Sequence, residues 1–179
     1  NFSVGREIGR SRVLELAYVG TKGTKLIDNR DINQANPSPN PVNLRPVPQF
    51  ADVDAYESRG NSNYNALQAK FTQRLHSGLS GLASYTWSKS IDDASAFFSS
   101  AGDPNFPQDS NNTRADRGLS NFDIRHRFAA GYSYDLPLRG RNILLHGWQT
   151  NGIWTFQTGR PFTVTLLPGV DNSNTGIPS

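Results

Sequence analysis

The chain has 179 residues, with no cysteine, no methionine, 35% hydrophobic residues and a mean hydropathy of -0.58. Without cysteine it carries no disulfide framework, zinc–thiolate site or thiol nucleophile, and no run reaches the roughly 20 apolar residues of a membrane helix. The formal charge of +3 and pI near 9.4 come without a basic run, so nucleic acid is not an expected partner.

The chain starts at Asn1, lacks Met and ends at Ser179 in a polar stretch, so it reads as an internal piece of something larger. The first expected element is a hairpin, residues 1–8 and 11–20, around Gly9-Arg10-Ser11. Leu14, Leu16 and Tyr18 line one side of its second strand. Residues 21–61 follow as a long connection rich in Asn, Pro and Asp. Within it Phe50 to Tyr56 has strand character and reads as part of that loop or as an extension of the next strand.

Residues 62–75 carry the clearest alternation. Leu67, Ala69, Phe71 and Leu75 are apolar, and Gln68, Lys70, Thr72 and Arg74 between them are polar, with Gln73 the exception. A period of two over this length means a strand with unlike faces. After the turn at Ser77-Gly78, residues 80–92 repeat the pattern, with Ala83, Tyr85 and Trp87 opposed to Ser84, Thr86, Ser88 and Ser90.

A second long connection, residues 92–120, is again dense in Asp, Asn and Pro. The next strand is expected over residues 122–136. Ile124, Phe128, Ala130, Tyr132, Tyr134 and Leu136 share one face, and Asp123, Arg125, Arg127, Ser133 and Asp135 share the other. The last full strand is expected over residues 143–158, with Trp148, Trp154 and Phe156 alternating with Gln149, Asn151, Thr155 and Gln157. A further strand starts at Phe162, and a third long loop is expected after residue 168.

Short turns near residues 9, 77 and 139 therefore alternate with long loops. Outer-membrane barrels show this parity, with short periplasmic turns and long extracellular loops. The strands exceed the about 5–6 residues of a typical soluble strand, and their apolar face is rich in the aromatics that favour the lipid–water boundary. A soluble antiparallel sandwich also alternates, but strand length, loop parity and the lack of a Lys/Glu-rich face favour the membrane. The expected fold is all-β: antiparallel strands forming part of a large transmembrane β-barrel.

Several strings, in order and spacing, carry a family resemblance. They are Ser62-Asn63-Tyr64-Asn65-Ala66-Leu67-Gln68, Tyr85-Thr86-Trp87-Ser88-Lys89-Ser90-Ile91-Asp92, Asp123-Ile124-Arg125-His126-Arg127-Phe128, Gly147-Trp148-Gln149 and Gln157-Thr158-Gly159-Arg160-Pro161-Phe162. From about Arg12 to Phe162 the chain resembles the barrel of TonB-dependent outer-membrane receptors, and within them the Oar-like, carboxypeptidase-regulatory-like branch. The resemblance implies a barrel of about 22 strands, of which this chain supplies a part, and an isolated piece of such a barrel is expected to be a curved open sheet. It also implies residence in the cell outer membrane of a diderm bacterium, among lipid and lipopolysaccharide. The implied function is uptake of an iron chelate, glycan or peptide through a plug-gated lumen, powered by the TonB complex through an N-terminal part not seen in this sequence.

Few residues suggest chemistry. His76, His126 and His146 follow no triad or metal spacing, and His126 reads as a barrel-rim residue. Asp92, Asp93, Asp103, Asp109 and Asp116 are oxygen-rich enough for Ca²⁺, but their spacing matches no calcium loop, and such loops use Asp for turns. Lys70, Arg74, Asp123, Arg125, Arg127 and Asp135 form an expected inward row, either ion-paired across strands or lining an anion path. No catalytic, cofactor-binding or metal residue is expected, no enzyme activity is read, and no single residue is assigned to substrate.

Overall fold

The computed structural model describes residues 1–95, 107–138, 147–164 and 174–175. Seven strands belong to one sheet: β1 (Phe2–Ile8), β2 (Arg12–Asp31), β3 (Asp54–His76), β4 (Leu79–Asp92), β5 (Gly118–Leu119), β6 (His126–Asp135) and β7 (Gln149–Gln157). The order is β1-β2-β3-β4-β6-β7, with the two-residue β5 added to the end of β4. β1 pairs antiparallel with β2, β4 with β5, and β6 with both β4 and β7. The sheet is all-β, antiparallel and not closed, since its order begins at β1 and ends at β7.

Two short turns set the hairpins. Gly9 (φ 70) lies in the connection 9–11, and Ser77 (φ 51) with Gly78 (φ 78) makes the two-residue link from β3 to β4. Two successive positive φ values match the right-handed twist of the flanking strands. An added Cβ at Gly78 would stand 3.0 Å from the Asp135 carbonyl oxygen, so a side chain there would also press on the neighbouring backbone.

Four expected boundaries change. The second strand runs to Asp31 and the third begins at Asp54, so the connection is residues 32–53 rather than 21–61. The Phe50 to Tyr56 stretch enters the strand that follows it, from Asp54 onward. The strand expected from residue 122 starts at His126, because Asp123 turns its carboxylate onto the Ser90 backbone N–H (2.7 Å) and its own N–H onto the Ser120 carbonyl (2.9 Å). These bonds satisfy the backbone without a ladder. The last strand starts at Gln149, while residues 143–146 and 165–167 of the expected strands, and the turn expected near residue 139, lie outside the described residues. β5 was not foreseen, being too short for periodicity to show.

The chain forms two units. The strand unit comprises residues 1–21, 64–89 and 124–159; the loop unit comprises residues 22–63, 90–123 and 160–179. In the strand unit the registers sort the side chains cleanly. Tyr85, Phe128 and Phe156 stand side by side across β4, β6 and β7, as do Ala83, Ala130 and Trp154. On the other face the rows are Thr86, Arg127 and Gln157, then Ser84, Ala129 and Thr155, then Ser80, Ser133 and Asn151.

The apolar face is not packed away. Phe156 is 64% exposed and Trp87 50% exposed, with Leu67, Phe71, Tyr85 and Trp154 also exposed. The buried apolar residues among those described are Ala35 and Ala66. A soluble sandwich needs a second sheet and an apolar core between the layers; among the described residues all seven strands lie in one sheet, which speaks against that alternative. Each large apolar side chain left in water forfeits about 1.5–3 kcal/mol, so this face requires an apolar medium.

Candidate functional site

The polar face of the strand unit is a wall of hydroxyls, amides and paired charges. Lys70 Nζ lies 3.4 Å from Glu15 and Arg74 lies 3.3 Å from Glu7. Gln149 donates to Asp135 at 2.9 Å. Arg127 stands between Thr86 and Gln157. Of the expected inward row, Lys70 and Arg74 are thus ion-paired across strands, while Asp123 is a buried backbone cap in the loop unit. Both carboxylate partners, Glu7 and Glu15, were missed; their signal was odd-position parity with Ser3 and Gly5 on β1 and with Val13 and Ala17 on β2. Leu82, Gly131 and Ile153 form one apolar row on this otherwise polar face.

The edges of the apolar face carry polar aromatics. Tyr18 donates from its hydroxyl to Asn65 at 2.7 Å. The Tyr85 hydroxyl lies 2.7 Å from His126 Nδ1, with the rings stacked at 6.1 Å. His126 therefore has a tyrosine for a partner at the strand's first residue, and its backbone N–H donates to the Thr158 hydroxyl at 3.2 Å. His76 ends β3 and is exposed; His146 lies outside the described residues. Rings that are apolar at one end and polar at the other suit a water–lipid boundary.

The loop unit is held by buried polar side chains. Asp31 accepts from the backbone N–H of Asn33 and of Val53, both at 2.8 Å. Asn33, 1% exposed, donates to the Val47, Phe50 and Ala51 carbonyls and accepts from the Val47 N–H at 2.8 Å. Gln34 accepts from the Ser110 N–H and donates to the Gln108 carbonyl, tying residues 32–53 to the second connection. One carboxamide that answers four backbone groups replaces the ladder that an irregular segment lacks.

Charges complete the unit. Arg30 grips Glu57 with two nitrogens, at 2.9 and 3.1 Å. Arg59 adds a contact to Glu57 at 3.4 Å and donates to the Thr113 hydroxyl at 2.6 Å. Asp93 takes Arg117 at 2.6 Å and both nitrogens of Asn61 at 3.1 Å. Of the aspartates weighed for calcium, Asp92 accepts from Ser95, Asp109 accepts from the Asn111 N–H, and Asp103 lies outside the described residues. Among the described residues no three His, Asp or Glu side chains gather as a metal-holding group.

Two carboxyls of this unit are shifted upward. Burial raises Asp28, with Arg59 opposing and Asp93 and Glu57 adding to the rise. Burial likewise raises Asp116, one of whose oxygens is buried without a hydrogen bond. Glu57 moves down, because Arg30 hydrogen-bonds its ionised form. The arrangement holds two connections in place by charge and hydrogen bonding.

Comparison with known proteins agrees with the sheet. A family model described as an outer membrane beta barrel domain matches residues 1–179. No curated protein and no solved structure matches the chain. The apolar face thus has lipid for its medium, the polar face looks inward, and the chain belongs to the outer membrane beta barrel domain family, with its place in the outer membrane.

Proposed function

We propose that this chain is part of the barrel of a TonB-dependent receptor of the Oar-like branch, which takes up substrate through a plug-gated lumen. The observation that supports this reading most is the continuation of β2 and β3 far beyond a membrane span into a polar, hydrogen-bonded loop unit. β2 has 20 residues and β3 has 23, against the about 9–11 that cross the hydrocarbon layer. Long strands carrying hydrogen-bonded loops offer an extracellular surface for capture, and loops positioned by a scaffold are where binding residues concentrate.

In this reading the connections 32–53 and 93–125 contribute to ligand capture, and the paired charges Glu15–Lys70 and Glu7–Arg74 solvate the wall. The ligand is an iron chelate, a glycan or a peptide; catalysis has no part in it. Energy comes from the TonB complex, engaged by an N-terminal part of the longer protein.

The test is binding of the full-length protein to the periplasmic domain of TonB. Saturable binding that is lost when the N-terminal part is removed supports transport. Absence of binding would overturn it in favour of a surface interaction or adhesion barrel, for which the same loop unit would serve as the contact surface.

A further inference from the structure

Three arginines stand at the turn end of the first hairpin, outside every charge pair described above. The β1–β2 register sets Arg6 opposite Leu14 and Arg12 opposite Ile8. This is the face that carries Phe2, Val4, Leu16 and Tyr18, the lipid face. Arg10 lies in the connecting turn, and all three residues are exposed. The hairpin's carboxylates point the other way, where Arg74 takes Glu7 and Lys70 takes Glu15. Arg6 and Arg10 have no hydrogen-bond or ion-pair partner among the described residues. Arg12 gives its Nε to Gln73 at 3.0 Å, which orients the guanidinium and leaves its two terminal nitrogens without a protein acceptor there.

We propose that Arg6, Arg10 and Arg12 form a binding surface for the phosphates of anionic phospholipids in the periplasmic leaflet. Short turns of outer-membrane barrels face the periplasm, so the 9–11 turn places these cations at headgroup depth. A long arginine stem lies along apolar surface while its head reaches the interface. The planar guanidinium then meets phosphate oxygens through parallel N–H bonds. At the strand unit's opposite end the lipid face carries Tyr18 bonded to Asn65 and Tyr85 bonded to His126, with the exposed Lys89 on the same face, and no arginine cluster among the described residues. The proposal rests on the barrel assignment and not on transport, so either can fail alone.

The test uses the full-length protein in phosphatidylcholine bilayers with spin-labelled phosphatidylglycerol or spin-labelled phosphatidylcholine as the probe. The motionally restricted fraction gives the relative association of the two lipids. Replacing all three residues (Arg6→Gln, Arg10→Gln, Arg12→Gln) is expected to lower the preference for phosphatidylglycerol by roughly two-fold or more at low salt. The three Lys replacements are expected to keep most of it. If the triple Gln protein does not insert, Arg6→Gln alone is read, since Arg6 has no protein partner to lose. An unchanged preference would overturn the proposal. So would a preference lost instead on Lys22→Gln with Lys25→Gln, which would put the phosphate surface at the loop end of β2.

Discussion

Tyr132 lies across Gly152, its cross-strand partner, so closely that a Cβ at Gly152 would stand 2.8 Å from the tyrosine ring. The same ring meets Trp154 at 5.1 Å between centroids. A glycine in a strand interior is usually a weakness; here the ring covers it and links β6 to β7. Gly152→Val is expected to displace the ring and cost on the order of 1–3 kcal/mol. The check is the urea midpoint of the folded barrel, with the aromatic circular dichroism band falling alongside it.

The strand unit was legible because every face decision rests on period two, and the registers pair like with like: Tyr85 with Phe128 and Phe156, Thr86 with Arg127 and Gln157. The loop unit was not. Asp31 and Asn33 are far in sequence from Ser110, and nothing local marks Asn33 as the buried carboxamide to which residues 47–51 attach. The same composition that reads as exposed loop, rich in Asn, Asp and Pro, here supplies the buried side chains. Glu7 and Glu15 were readable from parity alone, but the first hairpin's apolar face is interrupted by Arg6, which blurs the alternation.

Asn33→Ala removes four backbone contacts at once. Buried groups left without partners cost on the order of 1–3 kcal/mol each in the worst case, so the connection 32–53 is expected to open. Proteolysis and amide exchange should increase there, while the strand unit keeps its protection.

The pH dependence of the loop unit follows from Asp28 and Asp116. Both carboxyls are raised in the folded state by burial. Their contribution is fully present below the ordinary aspartate range and is lost as pH rises through the higher folded values. Glu57 runs the other way: its contribution is present above the ordinary glutamate value and is lost as pH falls through its lowered one. Asp28→Asn is expected to keep the loop amides protected as pH rises through the raised folded value of Asp28, where the unsubstituted protein loses protection. Equal exchange in the two proteins would show that Asp28 does not control the opening.

The pairs on the polar wall are worth little singly. Lys70 and Glu15 are about half exposed, at 48% and 47%. A double-mutant cycle on them is expected to return no more than about 1 kcal/mol, shrinking with added salt.

The central claim is that adjacent residues of one strand look into lipid and into water. Ala129 and Ala130 test it in matched form. Ala130 stands between Ala83 and Trp154, and Ala129 between Ser84 and Thr155. The chain has no cysteine, so Ala129→Cys and Ala130→Cys each place one spin label within it. In reconstituted full-length protein the label at 130 should collide with dissolved oxygen and be shielded from a water-soluble nickel complex, and the label at 129 should show the reverse. Equal access of both labels to the nickel complex, or the opposite order, would contradict the barrel assignment of these faces.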